Sequence, residues 1–314
     1  MSSFRKLAIA SSIATFLLIT IGGLVRSTGS GLGCDDSWPD CSGRIIPDFH
    51  NYKVVIEFGH RLVALIIIIL IGTLVVRALR QRAQRPQLVV PSVGAFGLVL
   101  FQALLGAVVV KLELHAESVV IHLSAALALF ALLIYIVGLA SAGEGDIEQV
   151  PDKGTASSSA WAAGAVLFLL LVGSYMSGYE GSGRAFNDWP LMGGQLIPDL
   201  GVQEYAIHFF HRALAAIVGV ILLFTLLPVI RKRSEAPIAA RLAHIALGAF
   251  ALEILVGALN VWTDLHPAAV TTHLMLGAII WGSLVGIVVV SSPRVRERAH
   301  QSTRTVSVPV RQGA

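Results

Sequence analysis

The sequence predicts an all-α integral membrane protein: eight transmembrane helices forming two tandem four-helix bundles, related by a pseudo-twofold axis along the membrane normal. Three observations lead there. Of the 314 residues, 55% are hydrophobic and 13% charged, too apolar a balance for a water-soluble globule of this size. Eight apolar stretches each approach the ~20 residues that a helix needs to cross hydrocarbon. The chain also repeats itself at an offset of 151 residues without a gap. His60-Arg61 recurs as His211-Arg212, His122-Leu123 as His273-Leu274, Trp38-Pro39 as Trp189-Pro190, and Ile46-Pro47-Asp48 as Ile197-Pro198-Asp199.

The apolar stretches run over 7–26, 53–77, 89–110, 118–140, 158–178, 204–230, 240–261 and 269–291. The first could pass for a signal peptide, but its counterpart at 158–178 lies in mid-chain, so it reads as a retained helix. An even number of spans in each half points both halves the same way across the membrane. The expected organisation is an N-terminal half 1–142, a polar cytoplasmic linker 143–157, a C-terminal half 158–292 and a basic tail 293–314. The connections after the first and fifth spans are long and Gly-rich, whereas those after the third and seventh are short.

Charge sets the orientation. Arg5, Lys6, Arg77, Arg80, Arg82, Arg85, Lys153, Arg231, Lys232, Arg233, Arg241, Arg294, Arg296, Arg298, Arg304 and Arg311 fall on one side, sixteen of the 23 Lys and Arg residues. The positive-inside bias then places both termini in the cytoplasm. No aromatic residues are interleaved with these basic loops to stack bases, so nucleic acid is not an expected partner and the lipid bilayer is. No Arg-rich targeting extension precedes the first span, which favours a prokaryotic inner membrane.

An imidazole inside hydrocarbon needs a partner, and two histidines at one depth on neighbouring helices point to a shared metal. His60 and His122 lie roughly 6–11 Å below the outer ends of their helices. That is the arrangement for bis-imidazole ligation of a haem held inside a four-helix bundle, and His211 with His273 repeats it. An interhelical hydrogen bond is the plainer reading of one such histidine, but not of two registered pairs. Zinc or copper fits less well, because no third or fourth ligand accompanies each pair. Arg61 and Arg212 could bind haem propionates, or snorkel to the interface. His115 recurs as His266; each could share the ligand face of its helix or sit in a loop at the rim.

Differences between the copies suggest that the halves divide the work. Glu57, one turn outward of His60, has His208 as its counterpart. A carboxyl group there could handle a proton or stabilise developing positive charge; the alternative is a salt bridge, for instance to Arg61. Cys34 and Cys41 have Ala185 and Met192 as counterparts. In an external loop they can form a stapling disulfide or cycle between dithiol and disulfide. The first half reads as catalytic and the second as a fixed cofactor site.

Gly22-Gly23-Leu24-Val25-Arg26, the loop Cys34-Asp35-Asp36-Ser37-Trp38-Pro39-Asp40-Cys41, Ile46-Pro47 and Glu57-Phe58-Gly59-His60-Arg61, together with His211-Arg212 and His273, resemble the haem A synthase family. The resemblance covers nearly the whole chain; its specific part is Glu-x-x-His-Arg with the duplicated histidines. It implies an oxidoreductase that converts haem O to haem A, oxidising one porphyrin methyl to a formyl group by successive hydroxylations for cytochrome oxidase biogenesis. It implies that His60 and His122 bracket the substrate haem O and that His211 and His273 ligate a resident haem b. It further implies that Glu57 acts at the reacting site, that Cys34 and Cys41 form an extracytoplasmic disulfide, and that the haem sites lie toward the extracytoplasmic side. Haem O synthase and an electron-transfer protein are the expected partners. The competing reading is a dihaem b-type electron-transfer protein that leaves its haems unaltered.

Overall fold

The computed structural model describes residues 1–142, 153–293, 295 and 297. Among these, eight helices carry the fold: α1 (Ser3–Ser27), α2 (Tyr52–Arg80), α3 (Val89–Lys111), α4 (Ala116–Ala142), α5 (Lys153–Gly178), α6 (Gln203–Arg231), α7 (Pro237–Trp262) and α8 (Pro267–Ser291). All eight are long and apolar enough to cross a membrane, and the chain is a multi-pass membrane protein. Most of the expected linker and basic tail lies outside the described residues. α5 begins at Lys153, ahead of the expected start at 158, so the last expected linker residues are helical.

Local chemistry fixes several boundaries that hydropathy alone does not. Ser2 accepts a hydrogen bond from Arg5 N at 3.3 Å to cap α1, and Asn51 Oδ1 accepts from Lys53 N at 3.0 Å to start α2. Pro237 and Pro267 open α7 and α8, where the missing N–H costs nothing. The turns after α3 and α7 are built alike: Glu113 and Leu114, then Asp264 and Leu265, all have positive φ between 49° and 63°. Leu114 N bonds back to Val109 O at 3.0 Å and Leu265 N to Asn260 O at 2.8 Å, closing each helix with a Schellman-type turn. Leucine tolerates this strained backbone where its side chain is packed. A β-carbon added at Gly31 would lie only 2.7 Å from Leu114 Cδ1.

Packing contacts close α1–α2–α3–α4 into one ring and α5–α6–α7–α8 into another. The rings meet through α1 against α8, α4 against α5, and α4 against α8. The most apolar 18-residue window of α8 is 67% buried, against 22–33% in the other seven helices, which makes α8 the innermost helix. Its small residues permit this: a β-carbon at Gly282 would meet Phe130 Cε1 at 2.8 Å, and one at Gly286 would meet Leu242 Cδ1 at 2.9 Å. Elsewhere the outward faces are apolar, as at Leu65, Ile69, Phe101, Leu104 and Phe224, which suits contact with acyl chains. Toward the end that bears the N-terminus, α1, α4, α7 and α8 enclose an apolar cleft of about 500 Å³ lined by Phe16, Phe130, Ile134, Leu242 and Val289. That cleft is remote from the paired histidines, which lie in the second turns of α4 and α8 and the third turns of α2 and α6.

Candidate haem sites

His60 and His211 are the ninth residues of α2 and α6; His122 and His273 are the seventh of α4 and α8. Each ring is seated against a glycine of a neighbouring helix. A β-carbon added at Gly22 on α1 would lie 3.5 Å from His60 Cε1, and one at Gly106 on α3 would lie 3.4 Å from His122 Cε1. At the 151 offset, Gly173 on α5 gives 3.0 Å to His211 Cε1 and Gly257 on α7 gives 3.4 Å to His273 Cε1. The glycines thus allow the Cε1 edge of each imidazole to approach the neighbouring helix where a side chain would crowd it. Nδ1 of all four histidines is buried without a hydrogen-bond partner.

The rings of His211 and His273 are neighbours in an edge-on arrangement, with centroids 6.4 Å apart and planes at 69°. Two imidazoles bound to one ion from opposite sides, with metal–nitrogen bonds of about 2 Å, would have their centroids about 6 Å apart. The pair therefore fits an axial ligand set. His60 and His122 occupy the matching positions of α2 and α4. Among the described residues no group of three or more His, Cys, Asp or Glu side chains converges on a point. A donor set of two imidazoles suits an iron whose other four positions belong to a macrocycle, and not a four-ligand protein site for zinc.

A tied-down loop between α1 and α2 lies at the same end of the bundle as the first pair. Cys34 and Cys41 form a disulfide with Sγ–Sγ 1.96 Å. Glu57 is 3% exposed, and its Oε2 accepts a hydrogen bond from Cys34 N at 2.8 Å. Arg61 Nη2 donates to Glu57 Oε1 at 2.5 Å, while its Nη1 donates to Ser37 O at 2.9 Å and Asp40 O at 2.6 Å. The salt bridge considered for Glu57 is thus present, and in this structure Arg61 binds loop carbonyls. Lys111 on α3 ties Asp36 at 2.8 Å from the other side.

The second copy keeps the arginine tie and changes the rest. Arg212 Nη1 donates to Leu191 O at 2.9 Å and Asp188 O at 3.4 Å, in register with Arg61. His208, in the place of Glu57, is also 3% exposed and donates from Nδ1 to Ser182 O at 2.8 Å. Instead of a disulfide, Asp188 closes the loop by accepting from Gly193 N and Gly194 N, each at 2.8 Å. Those bonds, Gly194 first, hold its carboxyl below the usual carboxylate range.

His115 and His266 are exposed and stand just before α4 and α8. His266 Nδ1 accepts from Ala268 N at 3.3 Å to cap α8, and His115 hydrogen-bonds Leu112 O. They are boundary residues outside the helices, not extensions of the ligand face. One residue that sequence reasoning passed over stands beside the second pair: Glu253 on α7, with Oε1 3.3 Å from His273 Nδ1. The available signal was the cost of a carboxylate in the middle of a membrane span.

Two histidine pairs at one end of a duplicated bundle of membrane-spanning helices, each backed by glycine and accompanied by an arginine-tied loop, make this a multi-pass membrane protein with two like candidate sites. The chain matches the COX15-CtaA family, described as cytochrome oxidase assembly protein, over residues 5–285, and it belongs to that family. It is similar to a heme A synthase of Symbiobacterium thermophilum, 29% identical over 304 residues that cover 95% of this chain and 98% of the relative. A heme A synthase of Shouchella clausii is 28% identical over 70% of this chain and 73% of its own length. One from Staphylococcus aureus strain JH9 is 24% identical over 87% and 90%.

Proposed function

We propose that this chain is a haem A synthase, a membrane oxidoreductase that takes haem O and oxidises one porphyrin methyl to a formyl group by successive hydroxylations. The observation that carries the reading is a pair of matching histidine cradles, of which one alone is roofed by Glu57, Arg61 and the Cys34–Cys41 loop. Family membership and the names of the relatives support the same reaction. The first four helices are the substrate half, with His60 and His122 bracketing haem O. The last four are the cofactor half, with His211 and His273 holding a resident haem b. When bound, that haem supplies the one-electron chemistry that no side chain can.

The protein's own groups position and exclude. Two donors orient the Glu57 carboxylate, and its unused lone pairs are available to accept a proton as the methyl is oxidised. Arg61 fixes the loop over the site through three backbone carbonyls as well as Glu57, so water is kept from the face next to His60. Any binding of propionates by Arg61 or Arg212 would use guanidinium donors that these contacts leave free. The apolar outer faces of the helices suit entry of an isoprenoid-bearing haem from the bilayer. Both termini lie in the cytoplasm of a bacterial cell, the haem sites face the other side, and haem O synthase and an electron-transfer protein are the partners this chemistry calls for.

The test is extraction and mass analysis of haems from cells that make haem O, with and without this protein. Haem A or its hydroxymethyl precursor should appear only with it. Haem O left unchanged, with an electron partner present, would instead identify a dihaem electron carrier.

A further inference from the structure

One buried carboxylate has no part in the chemistry above. Glu253 lies in the middle of α7 with its side chain 15% exposed; Oε1 is 3.3 Å from His273 Nδ1, and Oε2 has no hydrogen-bond partner. The approach to Nδ1 is within ion-pair distance but lacks hydrogen-bond alignment. Its counterpart in the first four helices is Gln102. Gln102 turns away from the ring and donates from Nε2 to the backbone carbonyl of His122 at 2.9 Å. One turn beyond His273, Gly277 replaces Ala126 of the first copy. A β-carbon at Gly277 would lie 2.6 Å from Leu170 Cδ2 and 3.4 Å from Glu253 Oε1, so Leu170 sets the tight limit there and the carboxylate lies at ordinary contact distance. Two differences thus fall together on His273: a carboxylate for an amide, and a ring contact for a backbone contact.

We propose that Glu253 is a positioning residue for the second histidine pair, accepting the Nδ1–H of His273 and so tuning the iron that His273 binds through Nε2. The inference rests on the reading that His211 and His273 hold a haem. A buried carboxylate without a partner is costly, and the ring N–H of His273 is the donor beside it. Accepting that N–H fixes the tautomer that presents Nε2, and it makes the imidazole a stronger donor to iron. Negative charge at that distance favours ferric over ferrous iron, which lowers the midpoint potential of the second site. At the matching position of the first site Gln102 is neutral and bonded elsewhere, and the buried carboxylate of that site, Glu57, is already paired with Arg61. The duplicated sites are therefore electronically unequal, with the resident haem the better reductant.

The experiment is a redox titration of the purified, haem-loaded protein and of Glu253→Gln, with the second-site haem identified as the one lost in His211→Ala. The midpoint should rise in Glu253→Gln by at least the equivalent of a tenfold change in ferric-to-ferrous preference, about 59 mV for a one-electron couple. Haem retained at an unchanged potential would overturn the proposal. If Glu253→Gln comes out without that haem, Glu253→Asp decides: haem held near the wild-type potential supports the carboxylate's role, and an empty site makes Glu253 a packing residue and overturns it. A His211→Ala protein that keeps as much haem as the wild type would instead sink the reading on which the inference rests.

Discussion

Glu57 and Arg61 are a buried i,i+4 ion pair that also holds the external loop, so each residue has a structural and a chemical role to separate. Glu57→Ala should leave haem binding intact, since His60 and His122 are untouched, and lower turnover by about 100-fold or more, the usual scale for a lost acid–base group. Haem extraction from cells carrying the variant reads both quantities. The glycine cradles make a second prediction. Gly173→Val places methyl groups where even a β-carbon comes within 3.0 Å of His211 Cε1, so the resident haem should be lost while the first site still fills. Pyridine haemochrome content per protein checks it. The four histidines are legible in the sequence because they repeat in register inside apolar runs, and Glu57 because His-Arg follows it one turn on. Glu253 is harder to see. Its partner lies on a different helix, and only packing brings α7 and α8 side by side.

At the scale of elements, the loop between α1 and α2 is held by more than its disulfide. The Glu57 contact to Cys34 N, the Arg61 contacts to Ser37 O and Asp40 O, and the Lys111–Asp36 pair all remain when the sulfurs are parted. Cys34→Ser should therefore retain partial activity; complete inactivity with the loop still folded would favour an obligatory dithiol cycle. The matching loop of the second copy gives a pH prediction. Asp188 has a depressed pKa, so its tie to Gly193 and Gly194 is fully present above the unfolded carboxylate value of about 3.9 and is lost as pH falls through the lower folded value. Hydrogen-exchange protection at Gly193 and Gly194 should stay flat from neutral pH to about pH 4 and fall only in stronger acid. Asp188→Ala should abolish it at neutral pH. Helix interiors are plain in the sequence, because about twenty apolar residues admit little else. Helix ends are not: Gly154-Thr155-Ala156-Ser157 carry no apolar signal, yet they belong to α5. The turns after α3 and α7 use Glu-Leu and Asp-Leu where a glycine would have announced them.

For the whole molecule, eight spans and the one-sided basic residues predict that a reporter fused after the last span is active only on the cytoplasmic side. A reporter inserted at Gly194 should be active only outside; the reverse pattern would invert the orientation. The repeat offset makes a two-fold relation legible in the sequence, but not which helices touch across it, since no periodicity encodes partners. The contacts themselves carry that information. Exchanging the first four helices for the last four turns α1–α8 into α5–α4 and leaves α4–α8 as it was, so the contacts across the seam map onto themselves. Such an interface is isologous, the kind by which two identical subunits close on each other and stop. Two copies of a four-helix chain would close on each other by that same seam, and joining them in one polypeptide lets the halves differ, as they do at Glu57 against His208 and at Cys34 and Cys41 against Ala185 and Met192.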